Sequence, residues 1–404
     1  MKLICITLAG LFMATNSFAV LGDAAFKKTV EGNNRFAVEM YKQAASGENR
    51  FLSPVSISFA LAMTYAGARG ATEREMRQAL HFDSDQKELH PALSAIMAKL
   101  NGGGEKRPYE LVVANALWGQ RGHIFLNEYL GLMKQWYHSG LMQVDFAGAA
   151  EKARTTINQW VEKITRDKIK NLIPAGVLTS DTRLVLTNAV YFKGAWLSGF
   201  EKSATRPGTF YASGGKPVQS QMMRQKNNFR HFQNRELQAL ELPYKGDTLS
   251  MLILLPGRKD GLGALESALS AEMIDELAAK LSDVEVEVTL PRFKLTAEYR
   301  LEKMLAAMGM KSAFVPGGAD FSGMDGTKNL FISAILHKAF VDVNEEGAEA
   351  AAATAVVVHL TSVRAPQDTV IFKADHPFLF IIRDKTTGAI LFIGRLDDPS
   401  AAAK

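Results

Sequence analysis

Helical spacing of apolar residues dominates the first half of the chain. In "TINQWVEKITRDKI" (156–169), Ile157, Trp160, Val161 and Ile164 recur at i, i+3, i+4 and i+7, which places them on one helix face. Three further helices are predicted from "NRFAVEMYKQAA" (34–45), "TEREMRQAL" (72–80) and "PALSAIMAKLNGGG" (91–104).

Start signals suggest where these helices begin. Asn33 and Asn34 are N-cap candidates for the first, and Thr72 and Glu75 have the spacing of a capping box in the second. Pro91 is expected at the start of the third, because the first turn of a helix does not need the N–H that proline lacks.

The second half changes to the spacing of strands. "VEVEVTL" (284–290) alternates valine with glutamate, as a half-exposed strand does, and "TLSMLILLP" (248–256) suits a strand covered on both faces. "FLFIIRDKTTGAILFIGRL" (378–396) predicts two buried strands joined by a turn that ends at Gly388. Helices early and strands late indicate an α+β fold.

The chain of 404 residues has no linker or composition shift that divides it, so we expect a single domain over residues 20–404. Residues 1–19 differ from the rest. Lys2, an apolar run of about a dozen residues, and small residues at Ser17 and Ala19 predict a secretory signal cut after Ala19. The run is shorter than the roughly 20 residues of a membrane span, so secretion to the periplasm or the extracellular space is expected. The only cysteine, Cys5, lies in this signal, so the mature chain would have no disulfide.

Charge and motif content narrow the function. The formal net charge is +5 with dispersed basic residues, which makes nucleic acid an unexpected partner and leaves polyanion binding open. No hydrolase, phosphate-loop or dinucleotide motif occurs, and the eight histidines lack the spacing of metal ligands. We therefore expect no enzyme activity, no cofactor and no metal.

Residues 344–370, "NEEGAEAAAATAVVVHLTSVRAPQDTV", combine two structural preferences. The alanines favour a helix and the valines a strand. Read with a period of two, the even positions from Ala348 to Val358, including Thr354, are all small or apolar. The segment ends in a polar, proline-containing stretch typical of an exposed loop. It is therefore suited to becoming a strand.

This segment resembles the hinge and reactive-centre loop of the serpins, inhibitors of serine and cysteine proteases. The resemblance extends over nearly the whole mature chain, through "FLSPVSISFALAMTYAGARGAT", "VANALW", "LVLTNAVYFKGAW", "ALELPYKG", "VTLPRFK", "ISAILHKAFVDVNEEG" and "ADHPFLFIIR", among others. It implies the serpin fold: a large mixed β-sheet A, two smaller sheets, eight or nine helices and an exposed reactive-centre loop at about 345–370.

The resemblance also implies a mechanism and its partners. A target serine protease, or as a second class a cysteine protease, attacks the loop and forms a covalent acyl complex with this monomeric inhibitor. The cut loop then inserts into sheet A as a new strand and distorts the protease before water can release it. The competing interpretation is a non-inhibitory serpin that acts as a protease substrate, carrier or chaperone; bulky or charged hinge residues would favour it, and this hinge has mostly alanines.

Particular residues inherit roles from the resemblance. The hinge comprises Glu345, Glu346, Gly347, Ala348 and Ala350, Ala351, Ala352 and Ala353. The family more often has Thr or Ser at the place of Ala348, but alanine is also small. Counting fourteen residues beyond the hinge glycine gives Thr361, with the reactive bond to Ser362. The segment beyond this bond is slightly longer than in the family, so Leu360 and Arg364 stay open as alternatives. Thr361 suits elastase- or subtilisin-like proteases, Leu360 chymotrypsin-like and Arg364 trypsin-like ones.

Two further groups match positions under sheet A. Ser53, Ser56, Asn188 and His337 correspond to the shutter, a hydrogen-bond cluster that must break when strands part. Trp196 corresponds to the breach, where the loop first enters. A polar residue of this kind taken singly is more often an ordinary hydrogen-bonded core residue, and Trp196 taken singly could be a plain core aromatic.

Overall fold

The computed structural model describes residues 9–44, 49–101, 107–137, 141–348 and 369–401, with side chains from residue 23 onward except Asn101. Its α-helices, in chain order, are α1 (Ala9–Gln43), α2 (Pro54–Tyr65), α3 (Gly70–Ala79), α4 (Gln86–Asn101), α5 (Asn127–Tyr137), α6 (Phe146–Ile164), α7 (Leu262–Ala268), α8 (Ala271–Lys280), α9 (Glu302–Ala307) and α10 (Ser322–Asp325). Within these ranges the ten helices slightly exceed the expected eight or nine, and the two last are very short.

Six strands form a mixed sheet, which we call sheet A. In spatial order they are β10 (Phe293–Arg300), β11 (Ile332–Asn344), β12 (Gly347–Ala348), β4 (Leu184–Ala195), β2 (Tyr109–Gln120) and β3 (Met142–Val144). Strands β11 and β4 are parallel, while β10 pairs with β11 and β2 pairs with β4 in the antiparallel direction. The expected mixed sheet and α+β fold class are confirmed.

The remaining strands form one nine-stranded sheet. Its members are β1 (Arg50–Leu52), β5 (Arg206–Ala212), β6 (Lys216–Gln233), β7 (Leu237–Pro243), β8 (Leu249–Pro256), β9 (Ser282–Pro291), β13 (Val370–Lys373), β14 (Phe378–Asp384) and β15 (Ile390–Leu396). Two smaller sheets were expected instead. They are continuous here because the 18-residue strand β6 pairs with β5 and β9 along most of its length and with β7 at its end.

Sheet A is covered on both faces. Helix α2 is buried along its entire length, as a helix apolar on all sides must be, and belongs to the main core. A second core lies on the opposite face, where Ile157 and Val161 of α6 pack among residues of β2, β4 and β11. A strand added to sheet A would therefore need small or apolar side chains on both faces wherever these cores cover it.

Several predicted elements are confirmed. The hairpin is β14 and β15, with Gly388 at a φ of 74°, and "TLSMLILLP" contains the wholly buried β8. The alternating segment "VEVEVTL" lies in β9, where Val286 and Val288 are buried and Glu287 is exposed.

The helix-start predictions were wrong. Asn33 and Asn34 lie inside α1, and their side-chain amides donate to the carbonyl oxygens of Ile390 and Gly388. The N-cap of α3 is Arg69, while Thr72 and Glu75 accept hydrogen bonds from backbone N–H groups of the segment 311–320. Pro91 lies inside α4. Polar groups with capping potential are used in long-range contacts here, which local spacing does not reveal.

Candidate functional site

The site is built on the boundary between β4 and β11, which we call the seam. Residues Ile332–Phe340 pair in parallel with Leu184–Tyr191. We call the end of the seam where β4 and β11 begin its lower end. Ser333 is an extra residue on β11 at this end, where the register shifts between Ile332 and Ala334. Below the hinge the two strands bond directly to each other, so this half of sheet A is closed.

The hinge residues begin a new strand at the upper end of the seam. Gly347 and Ala348 form β12, which is antiparallel both to β11 and to β4 and lies between them. Ala348 is fully buried in the main core. The start of the segment 345–370 was expected to be exposed, yet Gly347 and Ala348 are buried because they already belong to sheet A, and Glu345 is buried in the turn between β11 and β12.

Gly347 is required by its backbone and its surroundings. Its φ is +136°, and a Cβ atom would lie 2.1 Å from the carbonyl oxygen of Gly194. Such a conformation strains any L-amino acid with a side chain, and the close contact leaves no room for one. The hinge therefore enters the sheet with the backbone of Gly347 packed directly against the backbone of β4.

Trp196 holds the residues just before β12. Its backbone N–H donates to the carbonyl oxygen of Glu346 at 2.9 Å, and its indole Nε1–H donates to that of Asn344 at 3.0 Å. The indole ring stacks on Tyr244, with ring centroids 4.6 Å apart. Trp196 is thus a direct hydrogen-bond partner of Asn344 and Glu346, the residues just before β12.

Two ion pairs anchor the hinge glutamates. The carboxylate of Glu345 accepts hydrogen bonds from Arg292 Nε at 2.6 and 2.8 Å and from the Thr205 hydroxyl, while Glu346 pairs with Lys202. Burial alone would raise the pKa of Glu345, but the hydrogen bonds from Arg292 and Thr205 outweigh it, so this pKa is lowered. Glu345 is therefore held as a carboxylate at neutral pH.

The four residues predicted to form the shutter lie together beneath the middle of the seam. Ser53 is the N-cap residue of α2, Ser56 lies in α2, Asn188 in β4 and His337 in β11. The Ser53 N–H donates to His337 Nε2 at 3.2 Å, and Asn188 Nδ2 donates to Ser56 Oγ at 2.7 Å. His337 Nδ1 bonds to Asn188 Oδ1 across the seam. The sequence prediction thus selected residues that share one hydrogen-bond cluster.

The partners of His337 determine its protonation. Since Nε2 accepts from a backbone N–H, the proton of the neutral ring must be on Nδ1, where it is donated to Asn188. Burial lowers the pKa of His337 to about 3, so the ring is neutral at physiological pH. This neutral ring connects β11 to β4 and to α2.

Sequence reasoning missed two members of the site. Asn115 on β2 donates to the carbonyl oxygen of Ser56 at 3.0 Å and accepts from both Ser56 Oγ and Asn188 Nδ2. Arg292 precedes β10 and binds Glu345. The available signal was an asparagine inside the apolar run "LVVANALW"; nothing local distinguishes Arg292 from other basic residues.

The remaining site predictions fall on residues outside the described part of the chain. They are Ala350, Ala351, Ala352, Ala353, Leu360, Thr361, Ser362 and Arg364. Within the described ranges, no three His, Cys, Asp or Glu residues cluster as metal ligands would. No helix in those ranges has the length and apolar character to cross a membrane.

Comparison with known proteins identifies the family. Residues 31–399 match the family model described as serpin (serine protease inhibitor). An uncharacterized serpin-like protein of Thermococcus kodakarensis is 43% identical, over 96% of this chain and 89% of its own. The leukocyte elastase inhibitor of Bos taurus is also 43% identical, over 91% of this chain and 98% of its own.

A solved structure agrees with these sequence matches. Serpin48, described as a highly specific serpin of the insect Tenebrio molitor, is 34% identical with a TM-score of 0.81, covering 93% of this chain and 98% of its own. The fold, the hinge position and the matches along the whole domain lead to one conclusion. The chain belongs to the serpin family, the class of serine protease inhibitors, whose members have proteases as partners.

Proposed function

We propose that this serpin is a secreted, monomeric suicide-substrate inhibitor, not an enzyme, and that its targets are serine proteases with elastase-, subtilisin- or chymotrypsin-like pockets. The observation that carries the proposal is the position of β12. Its two residues lie between β4 and β11, antiparallel to both, so a continuation of β12 in the same direction would run along the seam. A cleaved loop could extend β12 without changing its direction.

The register of that extension follows from the present pairing. Ala348 lies opposite Gly194 of β4 and Val343 of β11. Because the pairing is antiparallel, each step forward from Ala348 would move the partner one residue back on β4 and on β11. Continued in this way, Val358 reaches Leu184, the first residue of β4, and His359 reaches Ile332, the first of β11. The one-residue difference between the strands is absorbed by the extra Ser333. The segment 349–359 therefore has the length of the seam.

The side chains of that segment fit both faces. The even residues would face the main core as Ala348 does, opposite Phe192, Val190 and Leu186 of β4. The odd residues from Ala353 to Val357 would face the core beneath α6, opposite Ala189 and Val185. Glu349 is the one charged residue from Ala348 to Val358, and it would lie opposite half-exposed Lys193. No charge would be buried alone.

Thr354 is the single polar residue on the inward row. It lies six residues beyond Ala348. Asn188 lies six residues before Gly194, the partner of Ala348 on β4, and His337 lies six residues before Val343, its partner on β11. Thr354 would therefore lie opposite both. An entering strand would separate these two side chains, and the Thr354 hydroxyl would supply a hydrogen-bond partner where they part. The polar cluster and the loop are thus complementary at this position.

The inhibitory claim is tested by incubation with elastase, subtilisin, chymotrypsin and trypsin, followed by denaturing electrophoresis. We expect a covalent complex that survives denaturation, and mass spectrometry of the released peptide should begin at Ser362. Trypsin as the most efficient partner, with a peptide beginning at Ala365, would move the bond to Arg364. Cleavage without a complex at any ratio would support the substrate or carrier alternative.

We also infer export with removal of residues 1–19. The sequence signal supports this, and so does the packing of α1, whose buried positions among the described side chains begin at Thr29 and Val30. Loss of the first nineteen residues would leave those contacts intact. Amino-terminal sequencing of protein from the culture medium or periplasm should give Val20 first; an intact Met1 terminus on a cytosolic protein would contradict export.

A further inference from the structure

An aromatic pair closes the seam just below β12. Tyr191 of β4 and Phe340 of β11 are the uppermost residues that pair directly across the seam. Their rings stack with centroids 5.9 Å apart and with planes inclined by 29°. Tyr191 is buried and Phe340 is half-buried, and Phe340 packs against the core beneath α6. A strand that extended β12 would reach this pair before any other directly paired residues of the seam.

A lysine from the connection between α6 and β4 lies over the same pair. Lys168 Nζ is 5.7 Å from the centre of the Tyr191 ring, within the range of a cation–π interaction. The turn that carries Lys168 is fixed at the end of α6. The Thr165 carbonyl oxygen accepts the N–H of Lys168 at 3.0 Å, and the Thr165 hydroxyl accepts the N–H of Ile169 at 3.2 Å. Because Ile169 is fully buried in the core beneath α6, the turn holds Lys168 above Tyr191.

We propose that Tyr191 and Phe340 form an aromatic clasp that slows the opening of the seam, and that Lys168 is a positioning residue for the Tyr191 ring. The clasp rests on the proposed function, since it matters only if a strand inserts here. Neighbouring strands lie about 4.8 Å apart, so an inserted strand would place β4 and β11 about 9.6 Å from each other. Aromatic pairs interact up to centroid distances of about 7 Å, so the stack would have to break.

The derived register also gives the clasp a partner in the inserted state. Ala351, three residues beyond Ala348, would lie opposite both rings, because each ring belongs to a residue three positions before a partner of Ala348. The methyl group of Ala351 would then point toward the face of sheet A that carries the two rings. A small side chain at 351 passes between the rings with the least displacement, which is a local reason for alanine at this position.

Peptide association measures seam opening without a protease. A fluorescein-labelled peptide with the sequence of residues 349–359 has the length of the seam and should add to sheet A of the uncut protein as a strand. Its association rate is compared among the wild type, Tyr191→Leu, Phe340→Leu and the double variant. Phe82→Leu is the matched control, because it breaks a ring pair with Tyr65 outside sheet A, where the centroids are 5.2 Å apart. Denaturant unfolding reports the stability of each variant.

Each single clasp variant should speed peptide association by about twofold to tenfold, as expected for the loss of one aromatic pair. The double variant should be no faster than either single variant, because the two rings act as one unit. Phe340→Tyr keeps the ring and should match the wild type. Lys168→Met keeps the apolar stem without the charge and should speed association by about twofold to fivefold, but not in the Tyr191→Leu background.

Three results would overturn the clasp and leave the proposed function standing. They are equal rates in all variants, additive effects in the double variant, and an equal acceleration by Phe82→Leu at comparable loss of stability. Failure of the peptide to enter the clasp variants would also overturn it, because the seam would then be held closed by other contacts. Only the further absence of a covalent complex with elastase, subtilisin, chymotrypsin or trypsin would overturn the proposed insertion as well.

Discussion

His337 on β11 donates its Nδ1 proton to Asn188 on β4, across the boundary that an inserting strand would have to open. The same ring accepts the N–H of Ser53, so one neutral imidazole connects two strands of sheet A to the helix beneath them. Insertion would have to break the hydrogen bond between His337 and Asn188. Measurements of the protonation and hydrogen-bond partners of His337 therefore test the proposed function.

Acid should destabilise the native protein through His337. The folded pKa is about 3 while the unfolded value is near 6.5, so the unfolded chain binds the extra proton between these pH values. This contribution is complete above pH 6.5 and is lost as the pH falls, by about 2 kcal/mol at pH 5. Denaturant unfolding should therefore show that the free energies of unfolding of His337→Gln and the wild type differ less at pH 5 than at pH 7.5. Ser56→Ala removes a hydrogen bond of the same cluster but no titrating group. Its free energy of unfolding should therefore differ from that of the wild type by the same amount at both pH values.

Thr354→Val should impair the inserted state and leave the native state unchanged. Valine has nearly the same shape but no hydroxyl, so Asn188 and His337 would part without the new partner. A buried unsatisfied polar group costs about 1–3 kcal/mol, and we expect the rise in denaturation midpoint on cleavage to shrink accordingly. Thr354→Ser should restore it. Equal midpoints for the cleaved wild type and the valine variant would contradict the derived register.

Ala350→Glu should turn the inhibitor into a substrate. The residue would face the main core opposite Phe192 and Val341, where an unpaired carboxylate costs several kcal/mol, so hydrolysis would overtake insertion. We expect the number of inhibitor molecules consumed per trapped protease to rise about tenfold or more. Glu349→Ala is the control, because residue 349 would lie beside half-exposed Lys193, and it should inhibit normally. Full inhibition by the Ala350 variant would exclude this face assignment.

Trp196→Phe should loosen the hinge. The carbonyl oxygen of Asn344 would lose the indole N–H, and the smaller ring would leave space beside Tyr244. The expected loss in free energy of unfolding is about 2 kcal/mol or more. Amide exchange should also quicken at Gly347 and Ala348. Normal exchange there, together with a lower stability, would limit Trp196 to an ordinary core role.

Local patterns in the sequence determined the parts of this protein that depend on neighbouring residues. Alternation and apolar runs located β8, β9 and the β14–β15 hairpin. Of the predicted apolar face of α6, Ile157 and Val161 are buried, whereas Trp160 is half-buried and Ile164 is exposed. The succession of small residues from Ala348 also follows from the sequence alone, because side-chain size along a strand requires no knowledge of partners. The resemblance to the serpin family then predicted which residues form the shutter and the hinge.

Only the tertiary structure decided which distant groups meet. It placed Asn115 in the polar cluster, joined Arg292 to Glu345, and engaged Asn33, Thr72 and Glu75 in contacts far along the chain instead of in local caps. It also made Gly347 and Ala348 a strand between β4 and β11, and the register proposed for insertion is derived from that pairing. The physical reason is that hydrogen-bond partners and burial depend on the packing of whole elements, whereas local spacing constrains only residues within a few turns or along one strand.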